Sequence, residues 1–182
     1  DQLYDNTKER ARSFFEEGLV AHVSVADPFC PELSDQFYIG AGKTGGTVHR
    51  GGNFVIIEGP RFSTKGESNI YRQWGCSIIG MTTCPEAFLA REAEIAFATM
   101  AHITDYDVWH DEPVTVDMVI KTLQKNVEHA QQAIANTIEN LNEDAVYESH
   151  HALQNALMTA PDKIPQDVYE KMHPLISKYI QK

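Results

Sequence analysis

The chain has 182 residues, 42% apolar and 23% charged, which suits one folded domain with a sizeable core. Its formal net charge of −11 argues against nucleic acid as a partner, because phosphates repel an acidic surface. No apolar run reaches the length of a membrane span, and Asp1-Gln2-Leu3-Tyr4-Asp5 lacks the basic and apolar regions of a signal peptide, so a cytoplasmic protein is expected.

Asp1 to Ala21 mixes charge with the pair Phe14-Phe15. Leu19 to Val25 alternates in polarity and predicts a strand with His22 near its middle; His22 could equally be a hydrogen-bonded histidine beside that strand. Asp27-Pro28-Phe29-Cys30-Pro31 is a turn, and Pro31 with Leu33, Phe37 and Tyr38 predicts a short helix. Gly40 to Gly46 is glycine-rich but fails the P-loop pattern. Thr47 to Arg50 followed by Gly51-Gly52-Asn53 predicts a strand and hairpin turn leading into Phe54–Ile57.

The stretch from Phe54 to Trp109 organises the rest. Val55-Ile56-Ile57 is a β-branched run closed by Glu58-Gly59-Pro60. Thr64 and Glu67 have capping-box spacing, with Ile70, Tyr71 and Trp74 as the apolar face of the helix that follows. Ser77 to Met81 is a second strand-like run. Thr83 and Glu86 repeat the capping-box spacing, with Pro85 in the first turn and Phe88, Leu89, Glu92 and Ala93 continuing the helix. Ile95 to Ile103 predicts a third strand that delivers Thr104-Asp105-Tyr106-Asp107 to its carboxyl end. Alternating strands and helices predict an α/β fold with sites at the carboxyl ends of the strands.

A polar loop, Trp109 to Pro113, comes next. Thr115 can cap a long helix whose apolar stripe is Val119, Leu123, Val127, Ala130, Ile134, Ile138 and Leu141, ended by Asn142-Glu143-Asp144. His151 to Met158 and Val168 to Ile180 predict terminal helices. Cys30, Cys76 and Cys84 show no CxxC spacing and read as buried thiols of a reducing compartment, with one bridge left open. The eight histidines form no metal-binding pattern, so no metal is expected.

Several of these segments, taken in order, carry a resemblance. Ala26-Asp27-Pro28-Phe29-Cys30-Pro31, Glu58-Gly59-Pro60-Arg61-Phe62-Ser63, Gly80-Met81-Thr82-Thr83, Pro85-Glu86 and Thr104-Asp105-Tyr106-Asp107 closely resemble the S-methyl-5′-thioadenosine phosphorylases of the purine nucleoside phosphorylase superfamily. The resemblance covers roughly residues 1–126, the core, and is weaker over residues 127–182, a helical carboxy-terminal extension. It implies a mixed sheet flanked by helices, and phosphorolysis: methylthioadenosine and phosphate give adenine and 5-methylthioribose 1-phosphate. A phosphorylase for another purine nucleoside, or a non-catalytic nucleoside-binding or structural fragment, are the alternatives. Inorganic phosphate is then a co-substrate, and no cofactor is expected.

The chemistry explains the residue types. Cleavage of the N-glycosidic bond puts negative charge on the purine, and a carboxyl at purine N7 can answer it with a proton if its pKa is raised. Asp105 matches the family residue in that role. Asp107, two positions along a strand-like end, can point the same way and accept from a 6-amino group, which favours adenine over a 6-oxopurine. On residue types alone the pair reads first as a polar turn, and it is the motifs taken together that favour the site.

The resemblance further implies that Thr82, just ahead of a predicted helix N-terminus, contacts phosphate, Met81 the ribose and Phe62 the base. Val116 and Val119 match positions near the purine and the 5′-thiomethyl pocket, although core roles are open to them. His22 matches a residue offered across the interface of a homotrimer. Gly80 stands where some members carry asparagine. The family's Gly-rich phosphate loop and Arg-His motif have no counterpart here, so a missing amino-terminal segment is expected, and residues 1–182 alone are expected to lack useful turnover.

Overall fold

The computed structural model describes residues 1–107 and 115–182. The loop from Trp109 to Pro113 lies outside the described residues. Three strands, β1 (Gln2–Asn6), β2 (Asn53–Ile57) and β3 (Cys76–Gly80), form a sheet in the order β1-β2-β3. All three run parallel, so the sheet is parallel throughout among the described residues. Helix α2 (Lys65–Gln73) crosses over from β2 to β3. Val55, Ile57 and Tyr71 are buried together, and Cys76, Ile79 and Met81 pack against them. A β-branched run covered on both faces forms such a central strand, because burial of each side chain contributes about 1.5–3 kcal/mol.

Strand β1 has no strong signal in the sequence. Its five residues alternate weakly and carry two polar ends; it is a strand because β2 offers it a paired edge. The reverse holds at 19–25, where alternation predicts a strand, and at 47–50, where the glycine turn predicts one: neither forms a strand among the described residues. Residues 19–25 make a single antiparallel bridge, Ala21 to Leu157. Gly51 and Gly52 both have positive φ, and the turn they make feeds β2 into parallel pairing, not a hairpin. Ile95–Ile103 likewise makes no ladder among the described residues. It is held by isolated bonds, such as Cys30 N–H to Phe97 O at 2.8 Å. Alternation marks a residue pattern suited to a sheet, but a strand exists only where a neighbour supplies hydrogen bonds.

Helix α1 (Pro31–Gly42) begins with Pro31 in its first turn. Its glycine-rich end serves packing. A Cβ on Gly40 would lie 2.9 Å from the Ala133 carbonyl of α4 (Val116–Ile138) and would also strike the Thr137 hydroxyl. Thr115 caps α4 by accepting from Met118 N–H. The side of α4 that packs is therefore small: Ala133 and Thr137 are buried, and Asn136 Nδ2 donates to Gly40 O at 3.0 Å. The expected stripe does not form the core. Leu123, Val127, Ile134 and Ile138 are exposed, because close approach at Gly40 turns the small-residue side of α4 inward.

A second core lies at the carboxy-terminal end. Leu19, Ile164, Tyr169, Met172, Ile176 and Ile180 are buried around α5 (Gln166–Ile176). The helix expected over His151–Met158 is absent; a 3-10 turn at Glu148–His151 runs into turns instead. All three cysteines are free, with Cys30 and Cys84 buried. No helix among the described residues is long and apolar enough to cross a membrane.

Candidate functional site

Parallel strands place all their carboxyl ends on one edge. Asn6 pairs with Ile57 and Ile56 with Gly80, so the segments after β1, β2 and β3 leave the sheet side by side. Glu58, the first residue after β2, ties them together. Its carboxylate accepts from Lys8 N–H at 2.5 Å and from Arg10 Nε at 3.1 Å. Arg10 in turn donates to the carbonyls of Glu58 at 3.0 Å and Cys84 at 2.5 Å. The Lys8 amide and the Arg10 guanidinium hold the Glu58 carboxyl below its usual range, against partial desolvation. Sequence reasoning did not find Arg10, since nothing local marks an arginine whose partners lie some 50–75 positions away.

After Glu58 the chain turns at Gly59, whose φ is +70°. A Cβ there would come within 2.8 Å of the Met81 sulfur, so Met81 lies directly over the β2 turn. Phe62 is 53% exposed at this edge and is not a core residue. Ser63 is buried; its hydroxyl shares a 2.7 Å hydrogen bond with Ser68 and donates to Asp107 Oδ1 at 3.4 Å. The capping box expected at α2 is present: Thr64 Oγ1 accepts from Glu67 N–H and Glu67 accepts from Thr64 N–H. Arg61 adds two 2.7 Å bonds to the same carboxylate. These donors, Arg61 first, hold the Glu67 carboxyl down at about 2.

Asp105 and Asp107 are brought together, though not by strand alternation. Asp107 has φ +54°, and its N–H donates to Asp105 Oδ1 at 2.8 Å. This is a side-chain-closed turn, and aspartate tolerates the left-handed conformation better than most residues. Thr104 Oγ1 donates to Asp105 Oδ2 at 2.6 Å. The Ser68–Ser63–Asp107 chain then docks the turn against the β2–α2 segment. Sequence reasoning missed Ser63 and Ser68, whose role depends on a contact 44 residues away.

The capping box expected at Thr83 and Glu86 does not form. Helix α3 is Glu86–Glu92, its N-cap is Pro85, and no side chain caps it. A proline disfavours helical backbone in the residue before it, so Cys84 cannot open the helix. Thr82 therefore sits four residues ahead of α3, exposed, and its hydroxyl makes no hydrogen bond among the described residues. Burial pushes the neighbouring Cys84 thiol up to about 11.

The other candidates lie further out. Val116 is the first residue of α4 and is 63% exposed, while Val119 is half-buried. Asn126 of the same helix donates to Ile103 O at 3.2 Å, which fastens α4 beside the segment carrying Asp105. His22 is exposed, and its amide donates to Ala156 O at 2.8 Å. No hydrogen bond among the described residues joins His22 to Asp105, Asp107 or Thr82. No group of three or more metal-ligating side chains is placed to hold a metal among the described residues.

The sequence profile of the Phosphorylase superfamily matches residues 1–139. S-methyl-5′-thioadenosine phosphorylase of Synechocystis sp. is 50% identical over 98% of this chain and 57% of its own length. A crystal structure of a methylthioadenosine phosphorylase from an Antarctic soil metagenomic library superposes with a TM-score of 0.90 at 42% identity, covering 96% of this chain and 63% of that one. A mutant adenosine/methylthioadenosine phosphorylase of Schistosoma mansoni in complex with adenine superposes at 0.73 and 32% identity, over 76% of this chain and 57% of its own. The chain thus spans 57% to 63% of the length of these relatives.

Proposed function

We propose, from the premise that this chain belongs to the phosphorylase superfamily, that it carries the nucleoside-binding part of a methylthioadenosine phosphorylase. The reaction is attack of inorganic phosphate on the sugar carbon, with release of adenine. The observation that carries this reading is the Asp105–Asp107 turn docked on Ser63, at the carboxyl edge of a parallel sheet. That edge is where α/β folds of this kind bind ligands.

In this reading Asp105 supplies a proton or charge-assisted bond at purine N7 as the glycosidic bond breaks. Asp107 accepts from the 6-amino group, Phe62 packs on the base and Met81 lies against the ribose. Thr82 offers its exposed hydroxyl to phosphate, and Val116 and Val119 close on the purine and the thiomethyl group. Phosphate is a co-substrate, and no cofactor takes part. The assembly is a homotrimer in the cytoplasm, in which His22 reaches a neighbouring subunit's site; the exposure of His22 at the chain's surface supports this.

A second substrate, adenosine, fits the same base-recognition groups, and the Schistosoma mansoni neighbour bears both nucleosides in its name. Asp107→Asn tests the base assignment. Its amide can donate to a 6-oxo group, so the kcat/KM ratio of adenine to 6-oxopurine nucleosides should fall by about 10–100-fold. A ratio that does not move removes Asp107 from that role.

A further inference from the structure

The carboxyl end of α3 does more than end a helix. Arg91, in its last turn, is buried at 7% exposure. Its Nε donates to Ser24 O at 3.1 Å, and its Nη2 pairs with Glu148 at 2.5 Å. Glu94 follows with φ +56°, a conformation that glycine adopts freely and other residues do not. Its carboxylate nevertheless gathers three donors: Leu153 N–H at 2.9 Å, Tyr179 O–H at 2.6 Å and Lys178 Nζ at 3.0 Å. Lys178 also donates to His150 O at 2.7 Å. Burial pushes the Glu94 carboxyl up, but the bonds from Tyr179, Leu153 and Lys178 outweigh it and hold it below its usual range.

These contacts converge on one segment. Ser24 stands two residues after His22. Residues 148–153, fixed by Arg91 and Glu94, lead directly into 156–158. There Met158 N–H donates to Val20 O and His22 N–H to Ala156 O, each at 2.8 Å. The His22 segment is thus held from both sides by one helix end, while His22 remains exposed. Neither Arg91 nor Glu94 has a hydrogen bond to Asp105, Asp107, Phe62 or Thr82 among the described residues.

We propose that Arg91 and Glu94 are positioning residues that fix the His22 segment so that His22 can meet the nucleoside. This rests on the reading of His22 given above. The discriminating variant is Glu94→Gly, which keeps the left-handed backbone without strain and removes the whole side chain with its carboxylate; Glu94→Ala, which removes the same carboxylate without glycine's added backbone freedom, controls for flexibility. Glu94→Gln, which retains one acceptor oxygen, is the milder companion should the first fail to fold.

Three readouts on the native protein containing this chain decide the matter. Amide hydrogen exchange over residues 19–24 should quicken at least about tenfold in Glu94→Gly, as local opening becomes easier, and by less in Glu94→Gln. KM for methylthioadenosine should rise about five- to tenfold with kcat within about twofold, the pattern of lost binding without lost transition-state contacts. In a His22→Ala background the same change should add nothing to KM, because coupled residues are not additive.

Unchanged exchange over 19–24 overturns the positioning role. A KM effect that persists in full in the His22→Ala background, or a fall in kcat alone, overturns it too, by placing the action of Glu94 on the Ile95–Asp107 segment. If His22→Ala leaves KM unchanged while Glu94→Gly still quickens exchange, the reading of His22 has failed and the proposed purpose falls with it.

Discussion

The segments after β2 and β3 begin from the same sequence signature and end differently. Each carries Thr-x-x-Glu ahead of a helix and a proline nearby. After β2, Pro60 lies well before Thr64, the capping box closes, and Arg61, Ser63 and Ser68 add further bonds. After β3, Pro85 falls between Thr83 and Glu86 and becomes the N-cap itself, so no side chain caps α3. One intervening position decides the outcome, because proline restricts its predecessor as well as itself. The first segment is closed on itself and presents Phe62 and Ser63 from a fixed frame. The second leaves the Thr82 hydroxyl without a hydrogen bond among the described residues. In the proposed reaction the fixed segment faces the base, and the open one faces the attacking anion.

The largest expected effect tests the side facing the base. Asp105→Asn should lower kcat by about 10²–10⁴-fold with a much smaller change in KM, since the proton is needed chiefly in the transition state. An unchanged kcat would mean that the fixed segment frames a turn and no catalytic group.

Next is the open segment. Thr82→Val should raise KM for phosphate by about tenfold or more, the loss expected for one hydrogen bond to a charged group. Because Thr82 is exposed, thermal stability should shift by no more than about 0.5 kcal/mol. Equal phosphate saturation in both proteins would dissociate Thr82 from the anion.

The smallest effects compare the two helix starts directly. Thr64→Ala should cost about 1 kcal/mol by loss of its cap, read as a lower unfolding midpoint, whereas Thr83→Ala removes no cap. Equal losses of helix α2 and helix α3 protection in the two variants would contradict the contrast. Glu67 also carries a pH signature. Its folded pKa is depressed from 4.5 to about 2, so its contribution to stability is present above pH 4.5 and lost as pH falls toward 2. Glu67→Gln should flatten the acid limb of the stability curve in that window, and an unchanged limb would show the Arg61 pair to be energetically silent.

Much of this frame was legible in the residues. Val55-Ile56-Ile57, the Thr64 and Thr115 caps, Pro31 and the α/β class all follow from local pattern, and local pattern was enough because each feature is settled by nearby atoms. Strand β1 was not legible, nor was the lack of ladders at 19–25, 47–50 and 95–103 among the described residues, because strand formation is decided by a partner distant in sequence. The α4 stripe misled for a related reason: Gly40 selects the close, small-residue face over the more apolar one. At the site, Asp105 and Asp107 were found as a pair, but their convergence rests on a positive φ at Asp107 and not on alternation. Ser63, Arg10 and Glu94 have partners far along the chain that nothing local marks, and Ser68 gains its role only through Ser63.

The most direct test of the central claim is the phosphate dependence of adenine release by the native protein that contains this chain. Methylthioadenosine should be cleaved only when phosphate is present, giving adenine and 5-methylthioribose 1-phosphate in equal amounts. Absence of cleavage at saturating phosphate, or release of adenine with free methylthioribose in phosphate-free buffer, would contradict the account.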